Sequence, residues 1–180
     1  MLKEGKLRKE EFKKLFDTYF DAIRRYLYYR CSDSELASDV AQDLFTRIWE
    51  KSMQIDPVKD KALLYKMASD MIVSKLRRRR VELNYSGSIK IEESANTPET
   101  NVEYEQLKIQ YSEVLLKMPE KVRTTFLMSR GEELKYAEIA ERLNVSVKAI
   151  EKRMNLALTL LRRDLMKEKE KLEIKSSGDE

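Results

Sequence analysis

The chain has 180 residues, with 36 lysines and arginines against 32 aspartates and glutamates, and a formal net charge of +4. It contains no histidine and one cysteine, which excludes most zinc sites, Ser-His-Asp and Cys-His catalysis, and any disulfide within the chain. We therefore expect no metal, no cofactor and no enzymatic activity. A single thiol fits a reducing compartment, and no apolar run approaches the ~20 residues that span a bilayer. The composition thus predicts a cytoplasmic protein without direct membrane insertion.

Three amphipathic helices are predicted within residues 1–80, where apolar side chains recur three and four positions apart. The first stripe covers residues 12–27, and Ser32–Ser34 can break it and cap a second helix. A third stripe at 64–76 follows the interruption at Asp56-Pro57. Such helices can bury their stripes only against one another, so this part predicts a helical bundle domain.

A linker and a second domain are predicted after the bundle. Residues 81–103 lose the helical period and are rich in asparagine, serine and glutamate, which predicts a flexible acidic linker. The helical period resumes at Tyr104, so residues 104–168 are predicted to form a second domain and residues 169–180 a frayed tail. The predicted fold class is all-α, with an N-terminal helical bundle domain, an acidic linker and a C-terminal helix-turn-helix domain.

The second domain carries the most specific local pattern. Pro119 is the predicted first residue of a short helix that ends at Gly131 with a left-handed cap. Two further helices, about 136–143 and 147–167, are joined by a turn in which Asn144 tolerates the left-handed conformation and Ser146 can cap the next helix. The side chains predicted to face inward from the last helix are Ile150, Met154, Ala157, Leu158 and Leu161.

The outer face of the last helix has the composition of a DNA-reading surface. It carries Lys148, Glu151, Lys152 and Asn155 at helical spacing. In a major groove, lysine can meet guanine acceptors, glutamate can accept from cytosine N4, and asparagine can pair with adenine. Basic residues near 75–80 and 148–163 flank the acidic stretch, which suits a polyanion held at two places. Each interpretation has an alternative. The two helices can form an ordinary helical hairpin, and the basic runs can be solvent-exposed helix faces without a DNA partner.

Several motifs together resemble a known family. Residues 115–165 contain Met118-Pro119, Phe126-Leu127, Glu138-Ile139-Ala140, Leu143-Asn144-Val145-Ser146 and Ala149-Ile150-Glu151. This stretch resembles the C-terminal promoter-binding region of bacterial RNA polymerase sigma factors of the extracytoplasmic-function (ECF) group. Residues 39–49 resemble the polymerase-binding helix of that family, and residues 63–78 resemble its downstream-element helix.

The resemblance implies three sets of site residues. The polymerase-binding set, which would dock on the coiled-coil clamp helices of core RNA polymerase, is Asp39, Gln42, Asp43 and Thr46. The set for the upstream promoter element is Ser146, Lys148, Glu151, Lys152, Arg153, Asn155 and Arg162. The set for the melted downstream element is Leu63, Tyr65, Lys66, Asp70, Arg77 and Arg78.

Three interpretations inside these sets stay open. The outer face of residues 39–49 can instead be an ordinary solvated face, with Phe45 and Trp49 on the core side. Leu63 and Asp70 depart from the aromatic residue and the asparagine that the family usually carries there. Tyr65 can supply a stacking surface for a base, or it can simply pack in the bundle core.

The function implied by the resemblance is that of an alternative sigma factor, which is not itself an enzyme. It binds core RNA polymerase and both double-stranded and melted promoter DNA, and an anti-sigma factor is an expected partner. The alternative is a free-standing helix-turn-helix transcriptional regulator, with the first three helices as a dimerisation or sensor domain. A nucleotide-processing enzyme is a third reading, against which the lack of histidine, of a glycine-rich loop and of a metal-ligand cluster argues.

Overall fold

The computed structural model describes residues 8–86 and 102–176, with side chains described for residues 8–79, 109 and 111–164. These residues form seven α-helices: α1 (Lys9–Cys31), α2 (Ser34–Glu50), α3 (Lys61–Ser86), α4 (Val102–Lys117), α5 (Glu120–Gly131), α6 (Tyr136–Leu143) and α7 (Val147–Ser176). The described part of the chain contains no strand, and the all-α prediction is confirmed. None of its helices is both long and apolar enough to cross a membrane.

The break between α1 and α2 is set by two neighbouring residues. Ser32 ends α1 in the left-handed conformation, with φ 56°. The carboxylate of Asp33 then accepts a hydrogen bond from the Leu36 amide at 2.9 Å, which caps α2. This hydrogen bond, followed by the contact with Arg79, lowers the pKa of the Asp33 carboxyl. The predicted break and cap are thus confirmed, with Asp33 as the capping residue.

Helices α1, α2 and α3 bury their apolar stripes against one another, as predicted. The largest fully buried side chains of this bundle are Leu15, Ile23, Leu27, Leu44, Phe45, Ile48, Leu64, Tyr65 and Ile72. Trp49, which the sequence suggested as a core residue, is 40% exposed. It follows the buried Ile48 near the end of α2, and its indole packs against Phe12 with 5.0 Å between ring centroids.

The C-terminal unit follows the predicted helix-turn-helix with small differences. Asn144 adopts the left-handed conformation, with φ 50°, and Ser146 Oγ accepts from the Ala149 amide at 3.2 Å. Pro119 lies one residue before α5 rather than within it. Gly131 is the last residue of α5, and Glu133 takes the left-handed conformation expected of that glycine.

Leu158 corrects the predicted inward face of α7, because it is 39% exposed. The buried stripe of α7 is Ile150, Met154, Ala157 and Leu161. Steps of four, three and four keep these residues on one side of the helix, and a residue directly after Ala157 is rotated about 100° away from them.

Helices α3 and α7 are longer than the sequence predicted. Helix α3 continues through Ser86, α4 begins at Val102, and α7 continues through Ser176. The prediction relied on apolar periodicity, which a helix needs only where it packs against a partner. The rest of the predicted linker (87–101) and of the predicted tail (177–180) lies outside the described residues.

The two helical units pack against each other, which the sequence did not predict. Helix α1 contacts α5, and α3 contacts α6. The buried side chains of both units belong to one continuous apolar cluster. Contacts between the units therefore decide which of the predicted site residues face open solvent.

Candidate nucleic-acid and polymerase interfaces

The outer face of α2 is exposed along its whole length. Asp39, Gln42, Asp43 and Thr46 are all solvent-accessible, because the opposite side of the helix buries Val40, Ala41, Leu44 and Ile48. Asp43 pairs with Lys75 of α3, with 2.9 Å between Oδ2 and Nζ. The four residues predicted to bind polymerase thus share one accessible surface, with Asp39 and Asp43 supplying negative charge.

An apolar groove borders this face and was not predicted. It has a volume of about 510 Å³ and is lined by Lys9, Phe12, Phe16, Gln42, Phe45, Thr46 and Trp49. The Phe12 and Trp49 rings pack with 5.0 Å between their centroids. The sequence feature that could have predicted this groove is Trp49, which lies one turn beyond Phe45. Neighbouring helices leave its side chain 40% exposed.

A second groove, with a volume of about 710 Å³, lies between α2 and α3. Its lining combines four basic side chains with apolar ones: Asp43, Arg47, Lys51, Met53, Leu63, Met67, Asp70, Met71, Ser74, Lys75 and Arg78. Leu63, Asp70 and Arg78 belong to the predicted downstream-element set. Arg47 and Lys51 were missed, although they follow Asp43 at steps of four along the same face of α2.

The described side chains of the arginine cluster lie within α3 and face different surroundings. Arg78 lines the α2–α3 groove, whereas Arg77 is exposed and does not line it. Arg79 forms an ion pair with Asp33, with 2.8 Å between Nη1 and Oδ2. The cluster therefore joins α3 to the start of α2 and leaves Arg77 and Arg78 on the accessible surface.

Tyr65 and Lys66 lie on the other side of α3, next to the C-terminal unit. The Tyr65 side chain is 1% exposed and packs edge-on against Tyr26, with 5.0 Å between ring centroids. Burial raises the pKa of its hydroxyl to about 12. In this arrangement Tyr65 is a core residue and offers no free ring to a base, which favours the second of the two interpretations of Tyr65, packing in the bundle core. Lys66 is exposed and lines a cavity that it shares with Arg142 and Asn144.

The outer face of α7 is accessible as predicted. Lys148, Glu151, Lys152 and Asn155 are exposed, and so is Arg162. Ser146 uses its hydroxyl to cap the helix. Arg153 differs, because it is half-buried and lines a cavity of about 200 Å³ between the two units, opposite Arg30 and Glu120.

Comparisons with known proteins bear on both halves of this architecture. The family model "Sigma-70 region 2" matches residues 15–82, which include most of α1, all of α2 and most of α3. The model "Sigma-70, region 4" matches residues 108–161, which include the helix-turn-helix. The exposed face of α2 and the α2–α3 groove thus lie in the region 2 match, and the outer face of α7 lies largely in the region 4 match. The chain belongs to the sigma-70 family, and within it to the ECF group of alternative sigma factors.

Two bacterial relatives illustrate the membership. The ECF RNA polymerase sigma factor SigW of Bacillus subtilis (strain 168) is 25% identical over 167 residues, covering 87% of this chain and 89% of SigW. The ferric citrate uptake sigma factor FecI of Escherichia coli (strain K12) is 27% identical over 144 residues, covering 78% of this chain and 83% of FecI. The chain is accordingly an alternative sigma factor that directs promoter recognition by RNA polymerase.

Solved structures show the same fold. The sigma factor RpoE, in a co-crystal with the anti-sigma factor NepR from Bartonella quintana, matches with a TM-score of 0.64 and 20% identity over 87% of this chain and 98% of RpoE. CnrH, in complex with the cytosolic domain of CnrY, matches with a TM-score of 0.58 and 20% identity over 88% of this chain and 89% of CnrH.

Proposed function

We propose that this sigma factor binds polymerase and promoter DNA through three separate surfaces. The exposed face of α2 binds core RNA polymerase, the α2–α3 groove receives the melted downstream element, and the outer face of α7 reads the upstream element in the duplex. The main support for this proposal is the α2–α3 groove, which borders the α2 face and combines basic side chains on its rim with an apolar wall. A melted strand needs both, since its phosphates are charged and its bases have flat, apolar faces.

The groove suits a base that has left the stack. Arg47, Lys51 and Arg78 neutralise the phosphates on either side of it. The base packs against Leu63 and Met67, whose flexible aliphatic chains fit an irregular surface. Because Leu63 cannot stack as an aromatic ring does, base capture depends here on packing and on rim charge.

On α7, four side chains meet base edges and two hold the backbone. The base-facing side chains, all of them exposed, are Lys148, Glu151, Lys152 and Asn155. Arg162 holds a phosphate directly, and Arg153 does so once the two units have moved apart. The Ser146 cap leaves the first amides of α7 directed towards the DNA, where a helix N-terminus favours a phosphate.

The proposal also covers a protein partner of this chain and the cell compartment in which it works. We infer that an anti-sigma factor holds this chain inactive, that the chain works in the cytoplasm, and that it performs no catalysis itself. Support comes from RpoE, which was solved with an anti-sigma factor, and from CnrH, which was solved with a cytosolic domain.

Run-off transcription with core RNA polymerase on a library of genomic promoter fragments tests the proposal. We expect new transcripts only when the chain and core polymerase are combined, from promoters that share two separate sequence blocks. A free-standing regulator would bind operator DNA tightly without core polymerase and would yield no new transcripts. That outcome would overturn the assignment of the three surfaces.

A further inference from the structure

A polar cavity of about 200 Å³ has walls from five helices, α1, α3, α5, α6 and α7. Three of its lining side chains are cationic, Arg30, Lys121 and Arg153, and Glu120 is the anionic one. The cavity therefore carries an excess of positive charge. Side chains from both helical units converge on this one space, which makes it a candidate site for an anion.

Arg30 is held in place at the wall of the cavity. Its Nε lies 2.6 Å from Glu120 Oε1, and its Nη1 donates to the Tyr26 and Ser69 hydroxyls. The Arg30 side chain is only 11% exposed. A guanidinium that is already positioned in this way loses little conformational freedom when an anion binds beside it.

Two other lining groups are without a protein partner. Thr124 is 2% exposed, and its Oγ1 forms no hydrogen bond with any residue that the structure describes. Arg153 is half-buried, and within the described part of the chain no carboxylate forms an ion pair with it. A buried hydroxyl without a partner costs free energy, which a ligand that accepts a hydrogen bond from Thr124 would recover.

We propose that this cavity binds a single phosphate group, either as inorganic phosphate or as the end of a small phosphate monoester. Arg30, Lys121 and Arg153 neutralise its charge, and the Thr124 hydroxyl donates to one of its oxygens. The volume limits the ligand, because sites for drug-sized molecules usually measure about 300–1,000 Å³. The site adds a small-molecule ligand to the polymerase and DNA partners of the proposed function.

Glu120 gives the site a preference for phosphate over sulfate. A phosphate monoester still carries a proton part of the time at neutral pH, since its second pKa is about 6, whereas sulfate carries none. The Glu120 carboxylate accepts a hydrogen bond from that proton, and such a bond to a charged acceptor is a strong one. The same carboxylate repels an anion that has no proton to donate.

Calorimetric titration of the free full-length chain, at constant ionic strength set with sodium chloride, provides the first test. We expect inorganic phosphate to bind at one site per chain, and sulfate to bind on the order of tenfold more weakly. Methyl phosphate distinguishes the two sources, because it binds like inorganic phosphate only if the cavity accepts a monoester. No binding of either phosphate, or equal affinity for sulfate, would overturn the proposal.

Two variants that remove separate phosphate contacts provide the second test. Thr124→Val replaces the hydroxyl by a methyl group, and Arg153→Met removes the charge but keeps an unbranched chain. Each should weaken phosphate binding by about tenfold or more, as expected for the loss of a hydrogen bond to a charged group. Arg163→Met, at an exposed arginine of the same helix outside the cavity, is the matched control and should bind phosphate like the wild type.

Thermal unfolding without phosphate separates a ligand contact from a structural role. Thr124→Val should melt no lower than the wild type, because it removes a hydroxyl that has no partner. Wild-type phosphate affinity in either cavity variant would overturn the proposal. These measurements contain neither DNA nor core polymerase, so their failure would leave the three proposed surfaces intact, and failure of those surfaces would appear separately in run-off transcription.

Discussion

The guanidinium carbon of Arg142 lies 5.8 Å from the centroid of the Tyr65 ring. Arg142 belongs to the first helix of the helix-turn-helix, and Tyr65 to the third helix of the bundle. A tyrosine that the sequence offered as a stacking surface for DNA is therefore covered by the helix-turn-helix unit. This relationship makes Tyr65 part of the packing between the two helical units.

Tyr65→Ala should destabilise the protein strongly. Removing a buried aromatic ring leaves a cavity and costs about 3–5 kcal/mol, which thermal unfolding followed by circular dichroism measures. Tyr65→Phe keeps the ring and loses only the bond from Arg142, so it should cost about 1 kcal/mol. An unchanged melting temperature for Tyr65→Ala, together with loss of promoter-thymine reactivity to permanganate, would instead identify the ring as a stacking surface.

Reversing the charge of the α2 face should abolish holoenzyme assembly. Asp39→Lys with Asp43→Lys removes the negative charge of the face and leaves the buried side of α2 untouched, so the helical circular dichroism signal should persist. Asp17→Lys with Asp21→Lys places the same change, at the same spacing, on exposed positions of α1 and serves as the control. Co-elution of the α2 double variant with core polymerase, equal to that of the α1 variant, would contradict the assignment.

Two substitutions on α7 should separate base reading from phosphate binding. Glu151→Ala should relax the preference at one base pair by roughly 1–3 kcal/mol. Arg162→Ala should weaken binding evenly across sequences and reduce the salt slope by about one unit. Both are measured with holoenzyme on a randomised upstream element. If Glu151→Ala leaves the selected sequences unaltered, the orientation of α7 in the groove is wrong.

Asp70→Asn should strengthen binding of holoenzyme to a forked promoter. The substitution removes one of two carboxylates from a groove that also carries four basic side chains. The gain should be roughly 1 kcal/mol or less, because the side chain is exposed. Equilibrium binding of the forked DNA measures the change. Weaker binding would show that the carboxylate accepts a hydrogen bond from a base and is itself a specificity determinant.

Glu132 predicts a pH dependence of stability. Burial raises the pKa of its carboxyl, although Arg25 and Arg142 lower it in part, at 3.6 and 3.8 Å. Tyr29 and Tyr65 are the other titratable groups that interact with it electrostatically. A raised pKa in the folded state means that the contribution of this group is complete below the ordinary carboxyl pKa and is lost as the pH rises through the raised value.

Glu132→Gln should abolish the loss of folding stability that accompanies ionisation of Glu132 as the pH rises. At neutral pH the variant should melt above the wild type, and the difference should vanish in acid, where Glu132 is protonated. Thermal unfolding from mildly acidic to neutral pH measures both curves. A lower melting temperature for Glu132→Gln at neutral pH would mean that the ion pairs outweigh the cost of burying the charge.

The sequence by itself determined the elements and the exposed faces. The spacing of apolar residues located the three bundle helices and, apart from Leu158, the buried stripe of α7, because a residue's face on a helix follows from its position in the repeat. The chemistry of single residues located the turn at Asn144 and the cap at Ser146. Exposure of Asp39, Gln42, Lys148 and Glu151 followed from the same periodicity.

Only the tertiary structure determined whether each helix face contacts the core, the other helical unit or solvent. Helical period cannot say whether the side of α3 that carries Tyr65 faces solvent or a second unit, because that depends on contacts between residues far apart in the chain. For the same reason the α2–α3 groove, with Arg47 and Lys51 on its rim, and the half-buried position of Arg153 could not be predicted. Local chemistry fixes a helix and its sides, whereas the packing of one helix on another assigns those sides to core, partner or DNA.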